Sequence, residues 1–130
     1  MKKIIFYLLI IISLQSCYFG AGVVEIDLPG NFDLFGNNSK NEAAIWLDIG
    51  EYSSEIIVNQ TVFAVGYNDD FIIAKSHSKN KILYHIIEVK KGLKQANINL
   101  SFEQYKFNRE HLNVPYDLNF TIVFHEIAKN

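Results

Sequence analysis

The chain has 130 residues, of which 49% are hydrophobic and 20% are charged, and its formal net charge is −2 with neutral histidines. This length suits a single domain, and the apolar fraction is sufficient to build one core. A mildly acidic chain whose only basic cluster is Lys90, Lys91 and Lys94 gains little from releasing phosphate counterions, so we expect no nucleic-acid partner.

The N-terminus has the form of a bacterial export signal. Met1-Lys2-Lys3 is a short positive segment, and residues 4–12 are an apolar run too short to span a bilayer comfortably. Leu14-Gln15-Ser16-Cys17 resembles the lipobox of bacterial lipoproteins, in which the chain is cut before a cysteine whose thiol carries a diacylglyceryl group. Cys17 is the single cysteine, so no disulfide within the chain competes for it. The alternatives are an ordinary secretory signal and a short uncleaved anchor.

The lipobox predicts the location and the domain organisation. We predict a signal peptide over residues 1–16, a lipidated tether over residues 17–22 and a single domain over residues 23–130. Removing the signal peptide lowers the formal charge from −2 to about −4. The acyl chains on Cys17 would hold the protein to the membrane at ~0.8 kcal/mol per buried methylene. Because residue 18 is not Asp, enteric-type sorting in a Gram-negative host would place it in the outer membrane, facing the periplasm.

The first part of the domain alternates apolar and polar residues, as half-buried strands do. Residues 23–28 and residues 31–34 each place their apolar side chains on one face. Pro29-Gly30 between them fits the centre of a type II turn, in which the glycine takes a positive φ. Residues 43–49 are a further predicted strand, with Trp46 on the face opposite its apolar side chains.

A three-stranded meander is predicted over residues 62–89. Its apolar runs VFAVGY, DFIIAKSH and KILYHIIEV are separated by two short polar clusters. Each break is too short for a crossover helix, so neighbouring strands must be antiparallel. Residues 55–58 precede the meander and are either a separate strand or part of a bent one. We expect the flanking strands to add to this central sheet.

The last third of the chain contains the one predicted helix. Ser101-Phe102-Glu103-Gln104 has the form of a capping box, and Asn113-Val114-Pro115 stops the helix, which gives bounds of about 101–112. One helical stripe would pack on the sheet through Phe102, Tyr105 and Leu112. Residues 118–125 alternate and are predicted to close the sheet. The sequence thus predicts an α+β domain, with one helix on a mostly antiparallel sheet of about six to seven strands.

Three segments together resemble a known bacterial family. They are DLPGNF at residues 27–32, VGYNDDFIIAK at residues 65–75 and YHII at residues 84–87. The combination is similar to the short bacterial lipoproteins grouped as domain of unknown function 3997, over nearly all of the chain after the tether. The resemblance implies one fold unit and an envelope location, and it carries over no catalytic residue and no ligand.

Candidate catalytic and metal sites are sparse. His125-Glu126 lacks the second histidine of a zinc-protease helix, and Ser53-Ser54 lacks a nucleophile elbow. Asp69-Asp70 lacks the ligand spacing of an EF-hand, so we interpret it as a solvated hairpin tip. The histidines are too scattered to predict a metal site: His77, His85, His111 and His125. We therefore predict no enzyme activity, no metal and no cofactor.

The predicted function is that of a non-catalytic binding or structural lipoprotein of the envelope. Its partner would be another envelope protein, bound through exposed residues for which the candidates are Trp46, Tyr52, Tyr67, Asp69 and Asp70. The alternative is an immunity or inhibitor lipoprotein, since a small acidic β-rich domain suits the blocking of a toxin or hydrolase. An enzyme is the third hypothesis, and no nucleophile, base or metal constellation supports it.

Overall fold

The structure is a computed structural model that describes residues 24–37, 39–91 and 96–125. The predicted signal peptide, Cys17 and the tether lie outside the described residues. The described part of the chain forms nine strands and one α-helix. Their bounds are β1 Val24–Asp27, β2 Phe32–Gly36, β3 Ala44–Gly50, β4 Ser53–Val58, β5 Val62–Tyr67, β6 Phe71–Ser78, β7 Lys81–Glu88, β8 Ala96–Leu100, α1 Phe102–His111 and β9 Ile122–Val123.

The strands form two sheets, each with antiparallel pairing throughout. Sheet one has the order β1-β2-β3-β4, and sheet two has the order β8-β7-β6-β5-β9. The predicted α+β class is confirmed, but the nine described strands replace the expected single sheet of six to seven. The difference arises because the chain leaves sheet one after β4 and enters sheet two at β5. β4 is therefore a separate strand, which decides the alternative left open for residues 55–58.

The main core lies between the two sheets. Alternation along each strand points one set of apolar side chains inward, and burying each contributes roughly 1.5–3 kcal/mol. Sheet one and its turns supply Val24, Leu28, Phe32, Leu34, Ala43, Ile45, Ile57 and Val58, and sheet two supplies Val62, Val65, Ile72, Ala74 and Ile87. The turn between β1 and β2 supports this packing, since Gly30 has a φ of 62° as predicted. A Cβ on Gly30 would lie 2.7 Å from Cγ1 of Val89.

Sheet two is also covered on its outer face. α1 and the segment after it place Tyr105, Val114 and Leu118 against Ile73 and Ile86. The central strand β6 is therefore buried on both faces, and its Ile72, Ile73 and Ala74 are all 0% exposed. A strand buried on both faces needs a continuous apolar run, which explains why the predicted meander agrees with β5, β6 and β7 almost to the residue.

The helix begins with the predicted capping box. The Ser101 hydroxyl accepts a hydrogen bond from the Gln104 backbone N–H at 3.2 Å, and the Gln104 side chain accepts from the Ser101 N–H at 2.9 Å. Tyr105 is 4% exposed, as predicted, whereas Phe102 is 52% exposed. No helix in the described segments is long and apolar enough to cross a bilayer.

The predicted closing strand over residues 118–125 is wrong in its extent, because β9 contains only Ile122–Val123. Leu118 packs beneath α1 instead, and Phe120 lies beside it. The backbone at Asn119 crosses directly over Gly66 of β5, where a Cβ would overlap the Asn119 carbonyl group. Residues 118–121 therefore lie over the outer face of sheet two, and only the residues of β9 pair with β5.

β8 was not predicted. Its sequence is ANINL, and asparagine has a low strand propensity. Asn99 has a φ of 58°, a left-handed conformation that asparagine tolerates better than most residues. The strand forms because it pairs with the edge of β7, with a register irregularity between Tyr84 and Ile86.

Candidate functional site

The outer face of sheet one has a cluster of carboxylates beside two aromatic side chains. Directly paired residues of antiparallel strands point to the same side, and the pairs on this side include Asp33 with Trp46 and Asp48 with Ser54. We call this surface the acidic face and define it as Glu25, Asp27, Asp33, Phe35, Trp46, Asp48, Ser54 and Ile56. In the described part of the chain, α1 and the segment after it pack on sheet two and leave this face to solvent.

Two shallow cavities border Trp46 on the acidic face. One has a volume of about 180 Å³ and is lined by Glu25, Asp33, Phe35, Trp46, Asp48 and Ser54. The other has a volume of about 160 Å³ and is lined by Phe35, Asn37, Glu42, Ala44, Trp46, Ile56, Asn59 and Gln60. Small-molecule sites usually occupy roughly 300–1,000 Å³. Each cavity is therefore closer to the size of one inserted side chain.

The charge of the acidic face is of one sign. No lysine or arginine occurs on any strand of sheet one. Partial burial raises the pKa of Asp33, and the negative charge of Asp48, a side-chain hydrogen bond with Asp27 and the charges of Asp27 and Glu25 raise it further. These carboxylates repel one another, so the face is suited to receive a positively charged group.

The predicted binding residues lie on different elements of the fold. Trp46 lies on the acidic face, whereas Tyr52 is 95% exposed in the turn between β3 and β4, and Tyr67 is 42% exposed at the end of β5. Asp69 and Asp70 are exposed in the turn between β5 and β6. That tip is ordered by Asn68 Oδ1, which accepts from the N–H groups of Asp70 and Phe71 at 2.8 Å each.

Four carboxylates of the acidic face were not among the predicted residues: Glu25, Asp27, Asp33 and Asp48. Two sequence signals could have identified them. Strand alternation places Glu25 and Asp27 opposite the apolar side chains of β1, and the strands of sheet one have no basic residue. Taken together, these signals predict an acidic outer face on the first sheet.

Ser76 and His85 are the closest approach to a catalytic pair in the described chain. His85 is 1% exposed, and its Nε2 lies 2.7 Å from Ser76 Oγ. The Asn99 backbone N–H donates to His85 Nδ1 at 3.0 Å, so Nδ1 has no hydrogen and Nε2 carries it. Burial lowers the pKa of His85 to about 4. The ring therefore donates to Ser76 and is not placed to accept its proton.

A groove beside α1 is lined by Phe102, Tyr105, Lys106, Arg109, Glu110, Asn113, Val114, Tyr116, Asp117 and Asn119, with a volume of about 950 Å³. Arg109 links the helix to the segment that follows it. Its guanidinium donates to the Tyr105 hydroxyl at 3.0 Å and to the backbone carbonyls of Pro115 at 2.8 Å and Leu118 at 2.5 Å. These bonds fix the segment after α1 against the helix.

Within residues 24–37, 39–91 and 96–125, no group of three or more His, Cys, Asp and Glu side chains is placed to hold a metal ion. His77 stacks on Phe63 with ring centroids 4.4 Å apart, and His85 is engaged by Ser76 and Asn99. His77 is thus used in packing, and His85 is used in hydrogen bonding.

Comparison with known proteins gives one match. A family model described as "Protein of unknown function (DUF3997)" matches residues 29–127. No curated protein and no solved structure matches the chain.

Proposed function

The chain belongs to the DUF3997 family, whose function is unknown, and we propose from its own residues that it is a non-catalytic, lipid-anchored protein of the bacterial envelope that binds a partner protein. The anchor is Cys17, which the lipobox-like segment before it supports. The binding surface is the acidic face. Anchoring by acyl chains leaves the folded domain free to present this face to a partner in the same compartment.

The observation that carries the proposal is the half-buried position of Trp46 and Phe35, on the outer face of sheet one, among the carboxylates of the acidic face. Tryptophan is enriched among the residues that dominate binding energy at protein interfaces. Both rings border the two cavities described above. A fold that needed these rings only for stability would pack them inside, as it does Phe32 at 2% exposure.

The Ser76–His85 pair supports a non-catalytic role. The hydrogen bond from Asn99 holds the imidazole in the tautomer that cannot accept the serine proton. The pair lies on the inward side of sheet two, where Ser76 is 3% exposed and a substrate would have no access.

The anchor is tested by labelling cells with palmitate. Wild-type protein is expected to incorporate the label, and Cys17→Ser is expected to lose it because only a thiol forms the thioether. Equal labelling of both proteins contradicts the lipid anchor.

The binding surface is tested in cells with a photo-crosslinking residue at Ser54, which lies on the acidic face. The matched control carries the same residue at Lys106, an exposed position of α1 on the opposite side of the molecule. We expect a defined cross-linked product with an envelope protein from position 54 and none from position 106. Absence of a product at position 54, or equal products at both positions, contradicts the assignment.

An immunity or inhibitor role is the second candidate, and the uniform negative charge of the acidic face favours it. Toxins and hydrolases that act on anionic substrates have basic clefts, which such a face could block. The purified protein should then lower the activity of the cross-linked partner. If that partner has no catalytic activity to inhibit, the binding role stands and the inhibitor role does not.

A further inference from the structure

The geometry points to a specific occupant for the cavity between Asp33 and Trp46: the guanidinium group of an arginine on a basic segment of the partner protein. This inference rests on the proposed function and names the chemistry of the partner. Within it, the face of the Trp46 indole stacks against the guanidinium plane, and the flanking carboxylates of Asp33 and Asp48 accept its hydrogen bonds.

The arrangement of the three side chains follows from the strand register. Asp33 is the direct partner of Trp46 on the neighbouring strand, so their Cβ atoms are roughly 5 Å apart. Asp48 follows Trp46 by two positions on β3 and points to the same side, roughly 7 Å along the strand. The indole therefore has a carboxylate across the strand and another along it, and all three line one cavity of about 180 Å³.

A guanidinium fits this arrangement better than an ammonium does. Its planar fork makes paired hydrogen bonds to carboxylates and stacks on aromatic faces, whereas a lysine ammonium is a compact and strongly hydrated point charge. Cation–π attraction to tryptophan is the strongest among the aromatic residues. The cavity offers both kinds of contact at once, so it should favour arginine over lysine.

The charge of the surface argues against other occupants. An anionic lipid surface would be repelled by Glu25, Asp27, Asp33 and Asp48. A sugar could stack on Trp46 but would leave the repulsion between the carboxylates in place. A bound guanidinium removes that repulsion, and binding should lower the raised pKa of Asp33.

Trp46 provides the measurement, because it is the only tryptophan of the chain. The full lipidated protein in nonionic detergent is titrated with an oligo-arginine peptide, an oligo-lysine peptide and a matched citrulline peptide, which is neutral and close in shape to arginine. We expect a saturable fluorescence change with oligo-arginine that weakens as salt rises. Oligo-lysine should bind several-fold more weakly, and the citrulline peptide should give no change.

Two double variants distinguish binding of the guanidinium in the cavity from attraction to the net negative charge of the protein. Asp33→Asn with Asp48→Asn should weaken oligo-arginine binding about tenfold or more, since it removes both charged hydrogen-bond acceptors from the cavity. Asp69→Asn with Asp70→Asn removes the same charge from a turn that does not line the cavity and should change binding less than about twofold. Circular dichroism of each variant establishes that the fold is retained.

The inference is overturned if the citrulline peptide binds as tightly as oligo-arginine, or if both double variants lose affinity equally. Cross-linking from position 54 is measured in parallel with the Asp33→Asn, Asp48→Asn variant. Cross-linking that persists in this variant contradicts the guanidinium inference but agrees with the proposed binding role. Absence of cross-linking from wild-type protein, with specific oligo-arginine binding retained, removes the proposed partner protein and leaves a cation-binding face.

Discussion

The two outer faces of this molecule differ in whether another part of the described chain covers them. The outer face of sheet two is apolar and lies under α1 and the segment after it, where Tyr105 is 4% exposed. The outer face of sheet one has carboxylates around a half-buried Trp46 and no described element over it. A sheet that is apolar on both faces must be covered to be stable. A sheet that alternates needs cover on one face only, so its other face is available for binding.

The largest expected effect on stability comes from a pair of aromatic deletions, one beneath α1 and one on the acidic face. Tyr105→Ala should lower the free energy of unfolding by about 4 kcal/mol, because it leaves a cavity beneath α1 and removes the hydroxyl that Arg109 contacts. Trp46→Ala should lower it by about 1–2 kcal/mol, since that ring is only half-buried and no described element lies over it. Denaturant midpoints measure both values. Equal losses would show that the acidic face is a structural surface.

Lowering the pH should reduce the free energy of unfolding, because His85 is buried in its neutral form on the inward side of sheet two. Its pKa is lowered to about 4 in the folded state, against about 6.5 in the unfolded chain. The unfolded state therefore binds the proton first as the pH falls. The stability that neutral His85 provides is complete above about pH 6.5 and is lost toward pH 4, by up to about 3 kcal/mol.

His85→Gln has no titrating ring and should show a flatter dependence of stability on pH than wild type, although it is less stable at pH 7. The comparison is made between denaturant midpoints at pH 7 and at pH 4.5. Identical slopes for the two proteins would mean that the imidazole is not buried in its neutral form.

Gly66→Ala tests how the outer face of sheet two is covered. The added Cβ would overlap the Asn119 carbonyl, and backbone cannot move aside as a flexible side chain can. We expect a loss of about 2 kcal/mol, within the usual range for overpacking. Hydrogen exchange should increase at Phe124, whose N–H donates to Phe63 at 2.8 Å. Unchanged exchange there would contradict the crossing of the segment over β5.

The smallest expected effect is on the acidic face. Asp33→Asn should change stability at pH 7 by about 0.5 kcal/mol or less, since the side chain is only partly buried and the substitution keeps its shape. The sign should be stabilising, because a carboxyl whose folded pKa is raised disfavours the folded state once it ionises. The gain should disappear below the unfolded pKa of about 3.9, where the aspartate is protonated in both states. A clear loss of stability at pH 7 would show that the hydrogen bond between Asp33 and Asp27 outweighs the repulsion between the carboxylates.

The predictions about sheet two succeeded in its centre and failed at its edges. The runs around Ile72, Ile73 and Ala74 are apolar on both faces and bounded by turn residues, so the meander was readily predicted. β8 was missed because its asparagines favour other conformations, and only pairing with β7 makes it a strand. Leu118 and Phe120 alternate like strand residues, yet they lie beneath α1 because Gly66 leaves room for the backbone to cross.

Of the residues that define the acidic face, the sequence analysis named only Trp46 as a candidate for binding. Trp46 was correctly assigned to the face opposite the apolar residues of its strand. The carboxylates around it come from three strands, β1, β2 and β3, and their proximity depends on the register of the sheet. That Trp46, Tyr52 and Tyr67 act as one surface stays a prediction without support from their positions on different parts of the molecule.

Features that depend on near neighbours in the chain can be predicted from the order of the residues alone. These are the alternation of the first strands, the positive φ of Gly30, the capping box at Ser101 and the meander, each stabilised by contacts over a few residues or across a tight turn. The division of β4 and β5 between two sheets, and the covering of one outer face but not the other, become visible only in the folded chain. Those outcomes depend on contacts between residues far apart in the chain, such as Asn119 over Gly66, and local propensity carries no information about them.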